Sequence, residues 1–203
     1  MKCLAIDTSG SHLSLLILDN QKIFKKHIEN CNLQHSVIAM QEVEDLLIEA
    51  NLKISDIDVF ACVVGPGSFT GIRIGISMVK AFAFANNKKV LTLTSFDVLA
   101  YNKYDGKNLA VIDAKHDNYY VCGYDENKNV ILKPQFVNFQ MLETIKKEYD
   151  NLLISTTNEK YFKNCDLQEG FTNAVLQNLQ NSTYDRESVV ALYVRKSQAE
   201  ENK

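Results

Sequence analysis

Short apolar runs separated by turn residues fill the first thirty positions, and a helical period replaces them near Asn32. Residues 2–7 read as a strand, and Asp7-Thr8-Ser9-Gly10 has the small polar composition of a turn. Residues 12–18 and 22–28 read as the next two strands, joined at Asp19-Asn20. Beyond His35, the residues Val37, Ile38, Val43, Leu46, Leu47 and Ala50 recur at three and four. This predicts an amphipathic helix over 35–50, with Gln41, Glu42, Glu44, Asp45 and Glu49 on its other face. Residues 59–64 are apolar throughout and predict a buried strand. That strand runs into Gly65-Pro66-Gly67-Ser68-Phe69-Thr70-Gly71-Ile72-Arg73-Ile74-Gly75, and a helix follows to residue 85, apolar on nearly every side. Residues 89–94 read as a further strand.

A polar segment at 102–107 then opens a second series: strands at 109–114, 119–124 and 130–136, a helix over 141–149 and a strand at 152–155. Strand–turn–strand–turn–strand thus occurs twice, which predicts two related lobes, 1–101 and 102–190, and a tail over 191–203. Residues 160–190 are rich in Asn and Gln with weak periodicity; a short last helix is expected over 188–191.

The glycine-rich run is the richest candidate for chemistry. A strand end, a glycine turn and a helix start gather backbone N–H groups that can hold an anion or admit another backbone. A phosphate loop of Walker type requires Gly-Lys-Ser/Thr after the glycines, and none follows. A dinucleotide fingerprint requires Gly-x-Gly-x-x-Gly; here the third glycine, Gly71, comes one place late, and the next strand ends in Ser95-Phe96-Asp97. Ser68 lacks the Gly-x-Ser-x-Gly elbow of a hydrolase nucleophile. Gly65, Pro66, Gly67, Ser68 and Thr70 therefore read first as a structural turn.

Apolar residues make up 46% and charged residues 23%, the balance of a globular domain. A formal charge of −3 speaks against a chain that grips nucleic acid by itself. Five cysteines without a Cys-x-x-Cys pair suit reduced cytoplasm. Apolar runs stay below the ~20 residues of a membrane helix, and Met1-Lys2-Cys3-Leu4 passes straight into a strand without a signal-peptide pattern.

The run from Gly65 to Gly75 resembles the signature of the TsaB family, also called YeaZ. Further likenesses follow in order: residues 4–9, His35-Ser36, Thr94-Ser95, Val111-Ile112-Asp113-Ala114, Tyr119-Tyr120-Val121, and Leu192-Tyr193-Val194-Arg195 near the end. The resemblance is dense over 1–125 and thin over 130–190. It implies a bacterial α/β protein of the actin-like ATPase type (ribonuclease H-like), with a reduced second lobe. It further implies a part in making threonylcarbamoyl-adenosine on tRNA, as the non-catalytic partner of a TsaD-like subunit.

In actin-like ATPases two lobes clamp a nucleotide, with strand-end aspartates handling metal or water. Asp7 and Asp113 each end a strand before a turn, and Thr8 and Ser9 offer hydroxyls beside the first. They are candidates for a vestigial phosphate site; simple turn capping is the competing reading. TsaD-type subunits carry a metal-binding His-x-x-x-His, but the fourth residue after His35 is Ala39, so one ligand is missing and no metal site is expected. Residues 130–203 contain one glycine, Gly170, too few for an adenosine loop. No cofactor is expected to bind the isolated chain firmly, although an adenine nucleotide at a subunit interface is compatible with the reading.

The helix after the glycine loop points to a contact surface instead. His35, Ile38, Met40, Gly71, Ile72, Arg73, Gly75, Ile76, Val79 and Phe82 are the candidate interface residues, and charging Ile76 or Phe82 is expected to abolish pairing. A helix enclosed wholly within its own fold remains the alternative. The expected partners are a TsaD-like catalytic subunit, a TsaE-like ATPase, and a second copy when the chain is alone, with tRNA met only through the complex and no membrane involved. The competing class is a small actin-like ATPase or phosphotransferase that acts by itself through Asp7, the glycine loop and Asp113.

Overall fold

The computed structural model describes residues 1–31, 34–155 and 162–195. Their contacts divide the chain into two units, 1–95 with 174–191, and 96–173 with 192–203.

The first unit is built on a five-stranded sheet. Strand β1 (Lys2–Asp7) pairs antiparallel with β2 (Leu13–Asp19), which pairs antiparallel with β3 (Lys22–Ile28). On its other side β1 pairs parallel with β4 (Val59–Val63), which pairs parallel with β5 (Lys89–Leu93), giving the order β3-β2-β1-β4-β5. Strands β1, β2 and β4 are buried almost throughout, which is why they read as continuous apolar runs rather than alternating ones. Two helices make the parallel crossovers, α1 (His35–Glu49) and α2 (Phe69–Ala85). Both end in the same way: Asn51 after α1 and Asn87 after α2 adopt positive φ, 54° and 50°, the left-handed stop that Asn tolerates. An ion pair between Lys26 and Glu42 ties β3 to α1.

The second unit repeats the plan. Strand β6 (Asn108–Asp113) pairs antiparallel with β7 (Asn118–Tyr124), which pairs antiparallel with β8 (Val130–Asn138). Strand β9 (Asn151–Ile154) runs parallel to β6, and β10 (Phe162–Asn164) parallel to β9. The order β10-β9-β6-β7-β8 is that of the first sheet read from the other edge, with the same strand directions. Alternation along β6 serves two cores. Ala110 joins Phe96, Cys122, Tyr124 and Leu153 on one face, while Leu109 and Val111 join Val121, Val137 and Leu142 on the other. Leu192 and Val194 pack against the first of these clusters.

Two sheets of one topology give the actin-like α/β fold expected from the sequence, and the second is the smaller. Residues 64–88 connect β4 to β5 and include α2, while the span between β9 and β10 is residues 155–161, of which 156–161 lie outside the described residues. The helix between β8 and β9 is α4 (Phe139–Ile145), seven residues against the fifteen of α1. It starts at Asn138, whose side chain accepts the Met141 N–H at 2.9 Å.

Against the sequence pattern, the structure adds two helices and lacks one. Helix α3 (Ser95–Ala100) follows β5, and helix α5 (Leu167–Asn178) occupies part of the stretch without periodicity. The helix expected over 188–191 is absent. The Asp185 carboxylate instead accepts N–H bonds from Glu187 and Ser188 at 3.1 and 3.2 Å, closing a turn that competes with helix. Thr183 exchanges backbone bonds with Val90 on β5, and residues 174–191 belong to the first unit. Most of the tail read over 191–203 lies outside the described residues. Among the described residues, no helix is long and apolar enough to cross a membrane.

Candidate functional site

The glycine loop leads from β4 into α2 through a cis Gly65–Pro66 peptide, with Gly65 at φ 104°. Ser68 caps α2, its side chain accepting the Gly71 N–H at 3.2 Å. The remaining bonds run to the β1–β2 turn. Ser68 N–H donates to the Ser9 carbonyl at 2.7 Å, and Thr8 Oγ1 donates to the Gly71 carbonyl at 2.7 Å. Ser95 Oγ donates to Ser9 Oγ at 3.1 Å. A Cβ at Gly67 would strike the Ser9 carbonyl oxygen, and one at Gly71 the Thr8 carbonyl oxygen. These glycines let a helix dock on a turn, backbone against backbone. Gly71→Ala is expected to lower stability by about 1–3 kcal/mol, the usual cost of overpacking. A denaturant midpoint unchanged from the parent chain would refute this.

Asp7 ends β1 and is buried. Its carboxylate accepts the Ser9 N–H at 2.8 Å and faces His12 Nε2 at 3.2 Å. Burial by itself would raise its pKa. The His12 charge, with hydrogen bonds from His12 and Ser9, nevertheless holds the carboxyl below the usual carboxylate range. Burial likewise opposes the charge on His12, yet the Asp7 carboxylate, aided by Glu29, holds the imidazole above its ordinary 6.5. In the second unit Asp113 ends β6 and is exposed. It accepts bonds from the Lys115 Nζ at 2.6 Å and the Lys115 N–H at 2.7 Å, and chiefly the former depresses its pKa. Both aspartates therefore cap turns with local partners. Among the described residues, no group of three or more His, Cys, Asp and Glu is placed to hold a metal.

The helical face is arranged differently. Gly71, Ile72, Gly75, Val79 and Ala83 are the buried line of α2. Ile76 and Phe82 are half-buried, the Phe82 ring centroid 5.6 Å from that of Phe60 on β4, so a charge at 82 would damage the fold itself. On α1, His35 is buried with Nε2 donating to the His12 carbonyl at 2.8 Å, and Ile38 is half-buried. Of the interface candidates, Met40 and Arg73 are exposed to solvent. Other apolar side chains that the pattern does not single out stand beside them. Val37 is 77% exposed, Ile48 69%, Phe69 53% and Phe84 78%. Val37, Met40 and Ile48 recur at helical spacing outside the core stripe of α1, a signal present in the sequence. A groove of about 540 Å³ runs between the helices, lined by Met40, Phe69, Arg73, Ile74 and Met78 among others, and the Arg73 guanidinium lies 3.7 Å from the Phe69 ring centroid. An apolar groove with one cation at its wall suits a protein partner.

Two sheets of shared topology and a glycine-locked helix define an actin-like α/β protein with exposed apolar side chains on α1 and α2. The family model of TsaD, tRNA N6-adenosine threonylcarbamoyltransferase, matches residues 26–200. The tRNA threonylcarbamoyladenosine biosynthesis protein TsaB of Bacillus subtilis is 32% identical over 135 residues, 66% of this chain and 58% of that protein. TsaB of Escherichia coli is 28% identical over 154 residues, 70% of this chain and 66% of that protein. The chain thus spans less than two thirds of the length of these curated relatives. In fold it is similar to a solved Pseudomonas aeruginosa protein described as similar to peptidase YeaZ, with a TM-score of 0.77, 22% identity, and coverage of 96% of this chain and 99% of that one. The chain belongs to the family of that TsaD model, among its TsaB relatives.

Proposed function

We propose that the chain serves tRNA threonylcarbamoyladenosine biosynthesis as a non-catalytic subunit that docks a TsaD-like catalytic partner through α1 and α2. The observation that carries this reading is the set of exposed apolar side chains on those helices, Val37, Met40, Ile48, Phe69 and Phe84. Support comes from Asp7, whose carboxylate is already engaged by His12 and Ser9, and from the names borne by the relatives. In this reading the subunit fixes the partner's geometry and builds a joint surface for a TsaE-like ATPase. It meets tRNA only within the complex, in keeping with its formal charge of −3. A second copy covers the same helices when the partner is absent, any adenine nucleotide sits at the subunit interface, and the site of action is the cytoplasm.

The test is co-elution of the purified chain with a TsaD-like subunit, beside calorimetry of the isolated chain with ATP. Co-elution with no heat up to millimolar ATP supports the reading. Failure to co-elute, with saturable ATP binding by the isolated chain, would replace it with a self-sufficient ATPase.

A further inference from the structure

Where the β1–β2 turn meets α1, a largely buried polar cluster ties the turn to the helix. His12 faces Asp7 and stacks on His27, ring centroids 5.3 Å apart. His27 Nδ1 lies 2.8 Å from Ser14 Oγ. The backbone of the same turn holds the approach to α1: the Ser11 carbonyl accepts the Cys31 N–H at 2.6 Å, and the His12 carbonyl accepts His35 Nε2 at 2.8 Å. His35 is the first residue of α1. Gln34 before it makes no side-chain cap, and no acidic residue stands in the first turn. A helix start without a cap has orphan N–H groups and little local hold. Its anchor here is tertiary.

We propose that the proton on His12 latches the first turn of α1, and that losing this proton releases the turn. When charged, His12 is drawn to Asp7, the turn around residues 10–12 is fixed, and its carbonyl stays aimed at His35. When neutral, the imidazole keeps at most a hydrogen bond to the carboxylate and the ionic attraction is gone. Gly10 leaves the ring its space, since a Cβ there would come within 2.6 Å of His12 Nδ1. The titratable groups facing the pair are His27 on β3, Glu29 just after it, His35 on α1, and the Cys62 thiol on β4. Burial pushes that thiol up to about 12, so it stays neutral throughout. Because Asp7 holds His12 above its ordinary 6.5, the latch stays closed to a higher pH than an unpartnered histidine would keep its proton, and it opens as pH rises through the folded value. Any consequence for partner docking rests on the function proposed above; the latch itself does not.

The test is amide hydrogen exchange at Ile38 and Ala39, corrected for the intrinsic pH dependence of exchange and followed through the NMR titration of His12. Protection should fall several-fold across that titration, the effect of weakening about one ordinary hydrogen bond's worth of hold. His35→Ala, which leaves the Asp7–His12 pair in place, should give low protection that no longer depends on pH, while the His12 titration persists. His12→Gln should give protection that is flat with pH. Unchanged protection across the parent titration, or the same pH-dependent fall in His35→Ala, would overturn the latch. If His12→Gln fails to fold, the comparison with His35→Ala decides. Failure of co-elution with a TsaD-like partner leaves this outcome untouched.

Discussion

Met40→Asp combined with Phe69→Asp should abolish pairing with a TsaD-like partner and leave a folded chain. Both side chains line the groove between α1 and α2, and each is more than half exposed, at 59% and 53%, so neither carries the fold of the single chain. In a complex they would sit where water is excluded, and each new carboxylate would lose hydration without gaining a partner. Truncating a central interface residue costs about 2 kcal/mol or more. Two such sites should weaken binding on the order of a thousandfold. Size-exclusion co-elution measures the loss, and a thermal melt of the single chain checks the fold. Val130→Asp with Ile131→Asp is the matched control: these exposed apolar residues start β8 of the second unit and lie outside the groove. Pairing that survives the groove changes, or is lost equally in the control, would sink the assignment of the surface.

Much of this surface is legible in the sequence, but not its outward side. The glycine run marks the start of α2 because closely spaced glycines and a Ser cap stand where a strand gives way to a helix. What the run is for is clear only from its neighbours: the Ser9 and Thr8 carbonyls that would collide with added Cβ atoms sit some sixty positions upstream. For a helix apolar on most of its circumference, periodicity does not say which arc its own sheet claims. Phe82, a candidate contact residue, turns inward to Phe60, while Phe84 turns out. On α1 the same limit hides the burial of His35, which depends on a carbonyl 23 positions earlier. Helix α5 escapes the sequence pattern for a different reason. Its buried apolar side chains, Phe171, Ala174 and Val175, are few, and Gly170 argues against a helix interior. The glycine is there because a Cβ at 170 would strike the Val98 carbonyl oxygen and the Asn102 amide. The duplicated topology, by contrast, is legible because each half begins with three strands in series joined by polar turns.

Asp7→Ala should cost about 3 kcal/mol near pH 6, the lower end of what breaking a buried ion pair costs. The lower end applies because His12 escapes part of the penalty by shedding its proton. Two terms combine: the Ser9 N–H loses its acceptor, and His12 loses its counter-charge. They are separable by pH. His12 has a raised folded pKa, so its contribution is complete below 6.5 and fades as pH rises through the folded value. Asp7 has a lowered folded pKa, so its contribution is complete above 3.8 and fades as pH falls through the folded value. The stability difference between parent and variant should therefore form a plateau from 3.8 to 6.5 and decline on both sides. Asp7→Asn keeps an acceptor for Ser9 but removes the charge, so the parent-minus-Asn difference should be smaller and should retain the alkaline decline. Urea denaturation at a series of pH values measures all three chains. A parent-minus-Ala difference that is level from pH 5 to pH 9 would mean that Asp7 acts only as a cap for the turn, and that His12 is bystander rather than partner.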